Sequence, residues 1–165
     1  MTLPKVHPFY RLWFTWVDPL SLVPTVYGIL YQRNFIMDGL IPASQSVANP
    51  DHGFLFHQLA ALYGFVAFML SGTLRATSEI KVWRVVIAGV LGIDLALLAS
   101  LYVSLEQQGH LGIAHMRWQD WGQMMYTGGV AIIRSLSLLG VGSRILREEK
   151  LAWAQMQHPE LPLKV

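Results

Sequence analysis

Residues 82–105 read VWRVVIAGVLGIDLALLASLYVSL, and this stretch decides the fold. Its 24 residues are apolar and helix-forming, and they are numerous enough for one helix to cross a bilayer. A single carboxylate, Asp94, lies at the centre of the stretch. An ionisable group at mid-membrane is costly, so Asp94 indicates either a functional site or a paired structural charge.

The composition of the whole chain is that of a membrane protein. The chain has 165 residues, of which 53% are hydrophobic and only 13% are charged, whereas a soluble domain carries about 25% charged residues. The absence of cysteine excludes disulfide scaffolds, thiolate metal sites and cysteine nucleophiles. The net charge of +2 is too small and too dispersed to indicate nucleic-acid binding. We therefore expect membrane lipids, and no nucleic acid, among the partners.

Four apolar segments predict an all-α membrane protein, a four-transmembrane-helix bundle that forms a single domain over residues 1–165. The predicted spans are residues 8–31, 54–74, 82–105 and 121–146. Pro19 and Pro24 should bend the first span and free backbone carbonyls near Asp18. The link between the second and third spans is short, which predicts an antiparallel hairpin.

The basic residues predict the orientation of the bundle, because four spans place both termini on one side. That side carries nine basic residues, and the opposite side carries two. The nine are Lys5, Arg11, Arg75, Lys81, Arg84, Arg144, Arg147, Lys150 and Lys164, and the two are Arg33 and Arg117. This asymmetry predicts cytosolic termini and lumenal loops at 32–53 and 106–120, with the endoplasmic reticulum as the expected membrane. The long loop 32–53 is predicted to be a packed cap rather than a disordered linker.

Three charged side chains fall at a similar depth. Measured along its own predicted helix, Asp94 lies ~18 Å from Val82, Arg134 lies ~18 Å from Gly122 and Asp18 lies ~15 Å from Pro8. One interpretation is that an Asp–Arg pair at this depth has a purely structural role and holds two helices together. With two carboxylates, however, one can stay ionised against Arg134 while the other keeps its proton, which places a general acid and a general base in one pocket. Both interpretations, bundle pairing and catalysis, stay open.

Further candidates lie near the predicted lumenal ends of the spans. His57 is either an interfacial hydrogen-bonding residue or a proton shuttle. Residues 117–121 (RWQDW) form either an aromatic belt with helix capping by Asp120, or the mouth of a pocket in which Trp118 and Trp121 hold an apolar substrate. The candidate substrate-binding residues are Trp118, Trp121, Asp120, Tyr102 and Tyr63.

Common metal and nucleotide motifs are missing from the sequence. The histidine pairs 52/57 and 110/115 are five residues apart, so neither has the spacing that puts two ligands on one helix face. The chain contains no HExxH, GxGxxG, P-loop or GxSxG motif. We therefore expect neither a metal nor a cofactor.

Several short motifs together resemble one family of membrane proteins. They are Pro8-Phe9-Tyr10-Arg11, Asp18-Pro19, Leu74-Arg75, Lys81-Val82-Trp83, Asp94, Arg117-Trp118-Gln119-Asp120-Trp121 and Arg134. Over about residues 8–145 the chain is similar to small fungal four-span integral membrane proteins that occur among secondary-metabolite genes. In role these look like the membrane-bound epoxide hydrolases and terpene cyclases. A more distant likeness is to the sterol isomerase and sigma-2 receptor group, whose members place carboxylates in a bundle cavity beneath a lumenal cap.

The resemblance implies the opening of an epoxide on a lipophilic polyketide or meroterpenoid intermediate. Such a reaction needs an acid for the leaving oxygen and a base for water or an internal hydroxyl. The catalytic candidates are Asp94, Asp18, Arg134 and His57. Two alternatives remain: a double-bond isomerase of the sterol-isomerase type, and a non-catalytic lipid-binding or membrane-complex subunit.

Overall fold

The described part of the chain is helical throughout. A computed structural model describes residues 6–42, 49–112 and 115–141, and no strand occurs among them. The α-helices are α1 (Pro8–Leu12), α2 (Asp18–Tyr31), α3 (Arg33–Leu40), α4 (Gly53–Phe68), α5 (Leu74–Ala76), α6 (Ile80–Gln107) and α7 (Trp118–Leu138). One π-helical turn, Trp13–Val17, joins α1 to α2, and another, Met69–Thr73, joins α4 to α5. A short 3-10 helix, Pro50–His52, precedes α4.

Among the described residues, two helices are long and apolar enough to cross a membrane, namely Gly53–Ala76 with 24 residues and Ile80–Gln107 with 28. At ~1.5 Å per residue they are ~36 and ~42 Å long, against a hydrocarbon layer of ~30 Å. Only 11% and 22% of their most apolar windows are buried inside the protein. Most residues of these windows are therefore not buried, unlike those of the core helix of a soluble protein.

The helices pack in two pairs. α2 packs against α4, and α6 packs against α7. The start of α6 and the end of α7 border the same small cleft, so these two helices run antiparallel. A buried apolar cluster then joins the two pairs. It consists of Tyr10, Phe14, Leu70, Leu74, Trp83, Ile87 and Val90. We call the end of the bundle near this cluster, where residues 77–79 connect α5 to α6, the hairpin end, and the opposite end the loop end.

The two π-helical turns lie side by side at the hairpin end. In the first turn the Asp18 N–H donates to the Trp13 carbonyl, five residues back instead of four. The wider turn keeps Phe14 and Asp18 on one face of the helix, and both are buried. It therefore continues the buried face of α1 into α2.

The predicted fourth span, 121–146, has different bounds in the structure. α7 begins earlier, at Trp118, and ends earlier, at Leu138. Gly140 has a φ of +74°, and the N–H groups of Gly140 and Val141 donate to the carbonyls of Ser137 and Leu136. This is the Schellman arrangement that ends helices. Residues 142–146 of the predicted span, and both chain termini, lie outside the described residues.

The other three predicted spans agree more closely with the helices. The helical segment 8–31 has the predicted bounds, and Gly53–Ala76 and Ile80–Gln107 extend the second and third by a few residues. The predicted loop 32–53 contains the helix α3, which folds back onto α2. Close approach is possible because residue 28 is glycine: a Cβ there would lie 2.9 Å from Ile36 Cδ1.

Candidate functional site

Three helices bring Asp18, Asp94 and Arg134 together, and we call these residues the charge cluster. Arg134 Nη2 donates to Asp18 Oδ2 at 2.5 Å, and Arg134 Nη1 donates to Asp94 Oδ2. All three residues are buried, with 3% of Asp18, 7% of Asp94 and 3% of Arg134 exposed. The predicted meeting of these three side chains is thus present in the structure.

Helix direction explains how Arg134 reaches its partners. Asp94 lies at the midpoint of α6, whereas Arg134 lies only one turn before the end of α7. Side chains on a helix lean toward its N-terminus. Because α6 and α7 run antiparallel, Asp94 and Arg134 lean toward each other, and the long arginine side chain covers the difference in level. The backbone of Arg134 is therefore nearer the hairpin end of its helix than the predicted span implied.

The charges of the cluster do not balance when every group is ionised. Arginine does not lose its proton in proteins, so two carboxylates face one permanent cation. A buried excess negative charge is costly, which favours a state in which one of the two carboxyl groups carries a proton. The cluster can then offer a proton donor and a proton acceptor at the same time.

Within the described part of the chain, one nitrogen of the cluster has no partner. Arg134 Nε is buried and has no hydrogen-bond partner among the described residues. Because an arginine N–H can only donate, this atom calls for an oxygen or another acceptor beside it. The cluster therefore has a free donor as well as an exchangeable proton.

Three hydroxyl groups lie close to the charge cluster. Ser21 Oγ donates to the Asp18 carbonyl oxygen at 2.6 Å, and it also hydrogen-bonds to the Tyr126 hydroxyl. This second contact links α2 to α7 next to the cluster. Tyr63 is half-buried on α4 and lies close enough to Asp94 and Tyr126 for electrostatic interaction. Of the predicted substrate-binding residues, Tyr63 is thus a neighbour of the cluster.

A cap formed by α3 closes the loop end of the bundle. Arg117 Nη1 donates to the Asp38 carbonyl at 2.8 Å, and Gln108 Nε2 donates to the Leu40 carbonyl at 3.3 Å. These are carbonyls of the last turn of α3, which have no partner inside their own helix. The residue that precedes α7 and the residue that follows α6 therefore hold α3 in place, as expected for a packed cap.

Asp120 supports this cap. It is completely buried, and its carboxylate accepts the Arg117 backbone N–H at 2.9 Å and the Arg117 Nη2–H at 3.0 Å. Asp120 thus caps the start of α7 by accepting the backbone N–H of Arg117, and it also orients the arginine that binds α3. The structure assigns Asp120 this capping contact, which the sequence predicted as one of two alternatives.

The remaining candidates lie away from the charge cluster. His57 is exposed, and its Nε2 is 2.8 Å from Arg33 Nη2 at the start of α3. Tyr102, Trp118 and Trp121 are exposed on the outer surfaces of α6 and α7. The structure does not bring these four residues to the charged side chains.

Sequence reasoning did not single out Ser21, Tyr126, Asp38 or Gln108. Each acts through a contact between helices that are distant in the chain. Serine, tyrosine and glutamine in apolar helices carry no spacing signal of their own. The sequence predicted free backbone carbonyls near Asp18 because of Pro19, but not which residue binds them. In the structure, Arg75 Nη2 donates to one of these carbonyls, that of Thr15, at 2.7 Å.

The chain matches one protein family over most of its length, the family described as Domain of unknown function (DUF7704), over residues 3–144. The chain belongs to the DUF7704 family. No curated protein matches the chain, and no solved structure matches it.

Every contact described above lies within the residues that match the DUF7704 family, 3–144. The charge cluster, the α3 cap and both π-helical turns lie within residues 3–144. Among the described residues of this region, no group of three or more histidine, cysteine, aspartate or glutamate side chains is placed to hold a metal ion.

Proposed function

We propose that this protein is a four-span membrane enzyme that opens an epoxide on a lipophilic polyketide or meroterpenoid intermediate. One observation carries the proposal: two buried carboxylates from different helices share the single guanidinium of Arg134. Acid–base opening of an epoxide requires such a pair, with one carboxyl protonated and the other ionised. The resemblance to membrane proteins encoded among secondary-metabolite genes supplies the substrate class.

The proposed reaction needs only the groups of the charge cluster and water. The protonated carboxyl gives its proton to the epoxide oxygen as a C–O bond breaks. The ionised carboxylate removes a proton from water, whose oxygen forms the new C–O bond. The product is a diol, and transfer of one proton between the two carboxyls restores the starting state. With an internal hydroxyl in place of water, the same steps form a ring.

The unpartnered Arg134 Nε supports a substrate that carries oxygen. This buried N–H can donate to an epoxide oxygen or to the attacking water. A hydrocarbon would leave the donor unsatisfied. The guanidinium between the carboxylates would also keep one of them ionised throughout the reaction.

A membrane location fits this chemistry. A polyene-derived substrate would enter from the bilayer, and an apolar bundle would limit the water that reaches the reacting carbon. We propose four spans, with α2 and α7 completing the bundle around the two apolar helices, both termini in the cytosol and the α3 cap on the lumenal side of the endoplasmic reticulum. This orientation is supported by the excess of basic residues on the side that would carry both termini.

The test uses the full-length protein in lipid nanodiscs and a panel of terminal epoxides of isoprenoid and polyketide chains. Incubation in ¹⁸O-labelled water separates hydrolysis, which incorporates the label, from cyclisation, which does not. Native protein should convert at least one epoxide, and Asp94→Asn should not. Glu106→Gln, an exposed change on the same helix, is the matched control. Equal conversion by native protein and Asp94→Asn would remove the proposal.

The excess of one carboxylate over the guanidinium also suits a second reaction, double-bond isomerisation through a carbocation. In that case one carboxyl protonates an alkene carbon to give a carbocation, and the ionised carboxylate stabilises the positive charge and then removes a proton from the neighbouring carbon, which forms the shifted double bond. The isomerase would bind cationic amphiphiles that imitate the carbocation and would not consume epoxides. Inhibitor binding and epoxide turnover therefore separate the two enzymes.

The buried ion pairs of the cluster also fit a third possibility, in which the three charges only hold the helices together. We call this non-catalytic role a clamp. A clamp would tolerate the triple variant Asp18→Asn, Asp94→Asn and Arg134→Met, because no charge would be left unpaired. Under either catalytic proposal the same variant folds and has no turnover. A cellular phenotype fully rescued by the triple variant would favour the non-catalytic subunit.

A further inference from the structure

Arg75 connects the hairpin end of the bundle to the first π-helical turn. It lies on α5, and its Nη2 donates to the backbone carbonyl of Thr15 at 2.7 Å. Its guanidinium also lies over the ring of Trp16, with Cζ 3.9 Å from the ring centroid. One arginine therefore contacts two successive residues of the Trp13–Val17 turn.

The Thr15 carbonyl needs this donor because of Pro19. In an α-helix a carbonyl accepts the N–H four residues later, and for Thr15 that residue is Pro19, which has no N–H. Thr15 is 4% exposed, so water has little access to the carbonyl, and a buried carbonyl without a partner is costly. Arg75 replaces the missing backbone donor.

The carbonyl belongs to the turn that directs Asp18. The Trp13–Val17 turn ends where α2 begins, at Asp18, whose N–H completes the wide bond to Trp13. From that position the Asp18 carboxylate reaches Arg134. A change in the turn would rotate Asp18, because residues in successive helical positions point in different directions.

The second π-helical turn delivers Arg75 to its place. Met69–Thr73 packs against Trp13–Val17, and α5, which carries Arg75, follows it directly. π-helical turns are rare and occur frequently at functional sites. Here two of them pack against each other, and the first is followed directly by Asp18, which supplies one carboxylate of the cluster.

We infer that Arg75 is a positioning residue for the charge cluster: by donating to the carbonyl that Pro19 leaves free, it holds the turn that directs Asp18 onto Arg134. Arg75 itself does not touch Asp18 or Arg134 in this arrangement. The effect on turnover rests on the proposed function, whereas the effect on the Asp18–Arg134 contact does not.

The test compares Arg75→Met with and without Pro19→Ala in the full-length protein. Alanine at position 19 supplies the N–H that Thr15 lacks, so Pro19→Ala should make Arg75 dispensable. Pro24→Ala is the matched control, since it restores an N–H to a different carbonyl, that of Leu20. Arg84→Met, which removes an exposed arginine near the same end, controls for lost positive charge.

The principal measurement is the infrared band of the Asp18 side chain, a C=O band if Asp18 is protonated and a carboxylate band if it is ionised, assigned by difference from Asp18→Asn. We expect Arg75→Met to shift this band and Pro19→Ala to restore it. Arg75→Met should also lower the apparent melting temperature by about 5 °C and reduce epoxide turnover at least tenfold through kcat. Arg75→Lys keeps a donor and a cation, so its Asp18 band, melting temperature and turnover should all be closer to the native values than those of Arg75→Met.

The inference is overturned if Arg75→Met leaves the Asp18 band unchanged, or if Pro24→Ala restores it as well as Pro19→Ala does. Should Arg75→Met not fold, Arg75→Lys with and without Pro19→Ala decides by the same rescue. If native protein converts no epoxide, the proposed function fails, while the infrared comparison still decides the role of Arg75.

Discussion

Asp18 and Asp94 share one cation, since both carboxylates accept hydrogen bonds from the guanidinium of Arg134. The two acids come from α2 and α6, which belong to different helix pairs, and the arginine comes from α7. A single side chain therefore ties together the two halves of the bundle. Removing the arginine and neutralising one of the carboxylates should therefore have different consequences.

Removing the cation alone should destabilise the protein strongly. Arg134→Met leaves two buried carboxylates without a partner, and we expect the free energy of unfolding to fall by about 3–5 kcal/mol. The triple variant with Asp18→Asn and Asp94→Asn should recover most of that loss. Denaturant unfolding in bicelles measures both, with Arg84→Met as an exposed control. A triple variant as unstable as Arg134→Met would contradict this account.

Neutralising one carboxylate should leave the fold intact and stop the chemistry. Asp18→Asn and Asp94→Asn each leave one carboxylate against one guanidinium, and the asparagine oxygen can still accept from Arg134. We expect each free energy of unfolding to stay within about 1 kcal/mol of the native value. Epoxide turnover should be lost in both variants. Turnover retained in both would mean that the pair has no acid–base role.

The proposed topology can be checked with single cysteines, because the chain has none of its own. Gly39→Cys and Leu111→Cys lie at the loop end, and Lys81→Cys lies at the hairpin end, all at positions suited to labelling. In sealed microsomes a membrane-impermeant maleimide should label Lys81→Cys and should reach the other two only after detergent is added. Equal labelling of all three before detergent would rule out the four-span topology.

The α3 cap should open when Arg117 is removed. Arg117→Ala deletes the donor to the Asp38 carbonyl and the partner of Asp120. Ile36 faces Gly28 beneath the cap, so the labelling rate of Ile36→Cys should rise on the order of tenfold when this charge-assisted contact is lost. At Gly39 an added Cβ has no contact within 4 Å with a described residue outside its own helical turn, so Gly39→Cys should react at the same rate in both backgrounds. No change at Ile36→Cys would mean that other contacts hold α3.

Much of the fold follows from local patterns in the sequence. The apolar run around Asp94 predicts a helix long enough to span a bilayer, and that helix is present as α6. The first helical segment, 8–31, has the predicted bounds because Pro8 starts a helix that its own apolar residues continue. The end of α7 was missed because Gly140 takes a positive φ, which the apolar residues on either side of it do not reveal.

The sequence by itself determined that three charged side chains lie at a similar level in an apolar chain, because depth depends only on the rise along a helix. Only the tertiary structure decided what each of them faces. The direction of Asp18 depends on a π-helical turn, and that turn depends on Arg75, which belongs to another helix. Likewise His57 contacts Arg33, and Trp118 and Trp121 face outward, because the rotation of a helix about its axis is set by packing against its neighbours. The position of a residue along its helix gives its depth, whereas the partner of a buried charge depends on how the helices pack in the assembled bundle.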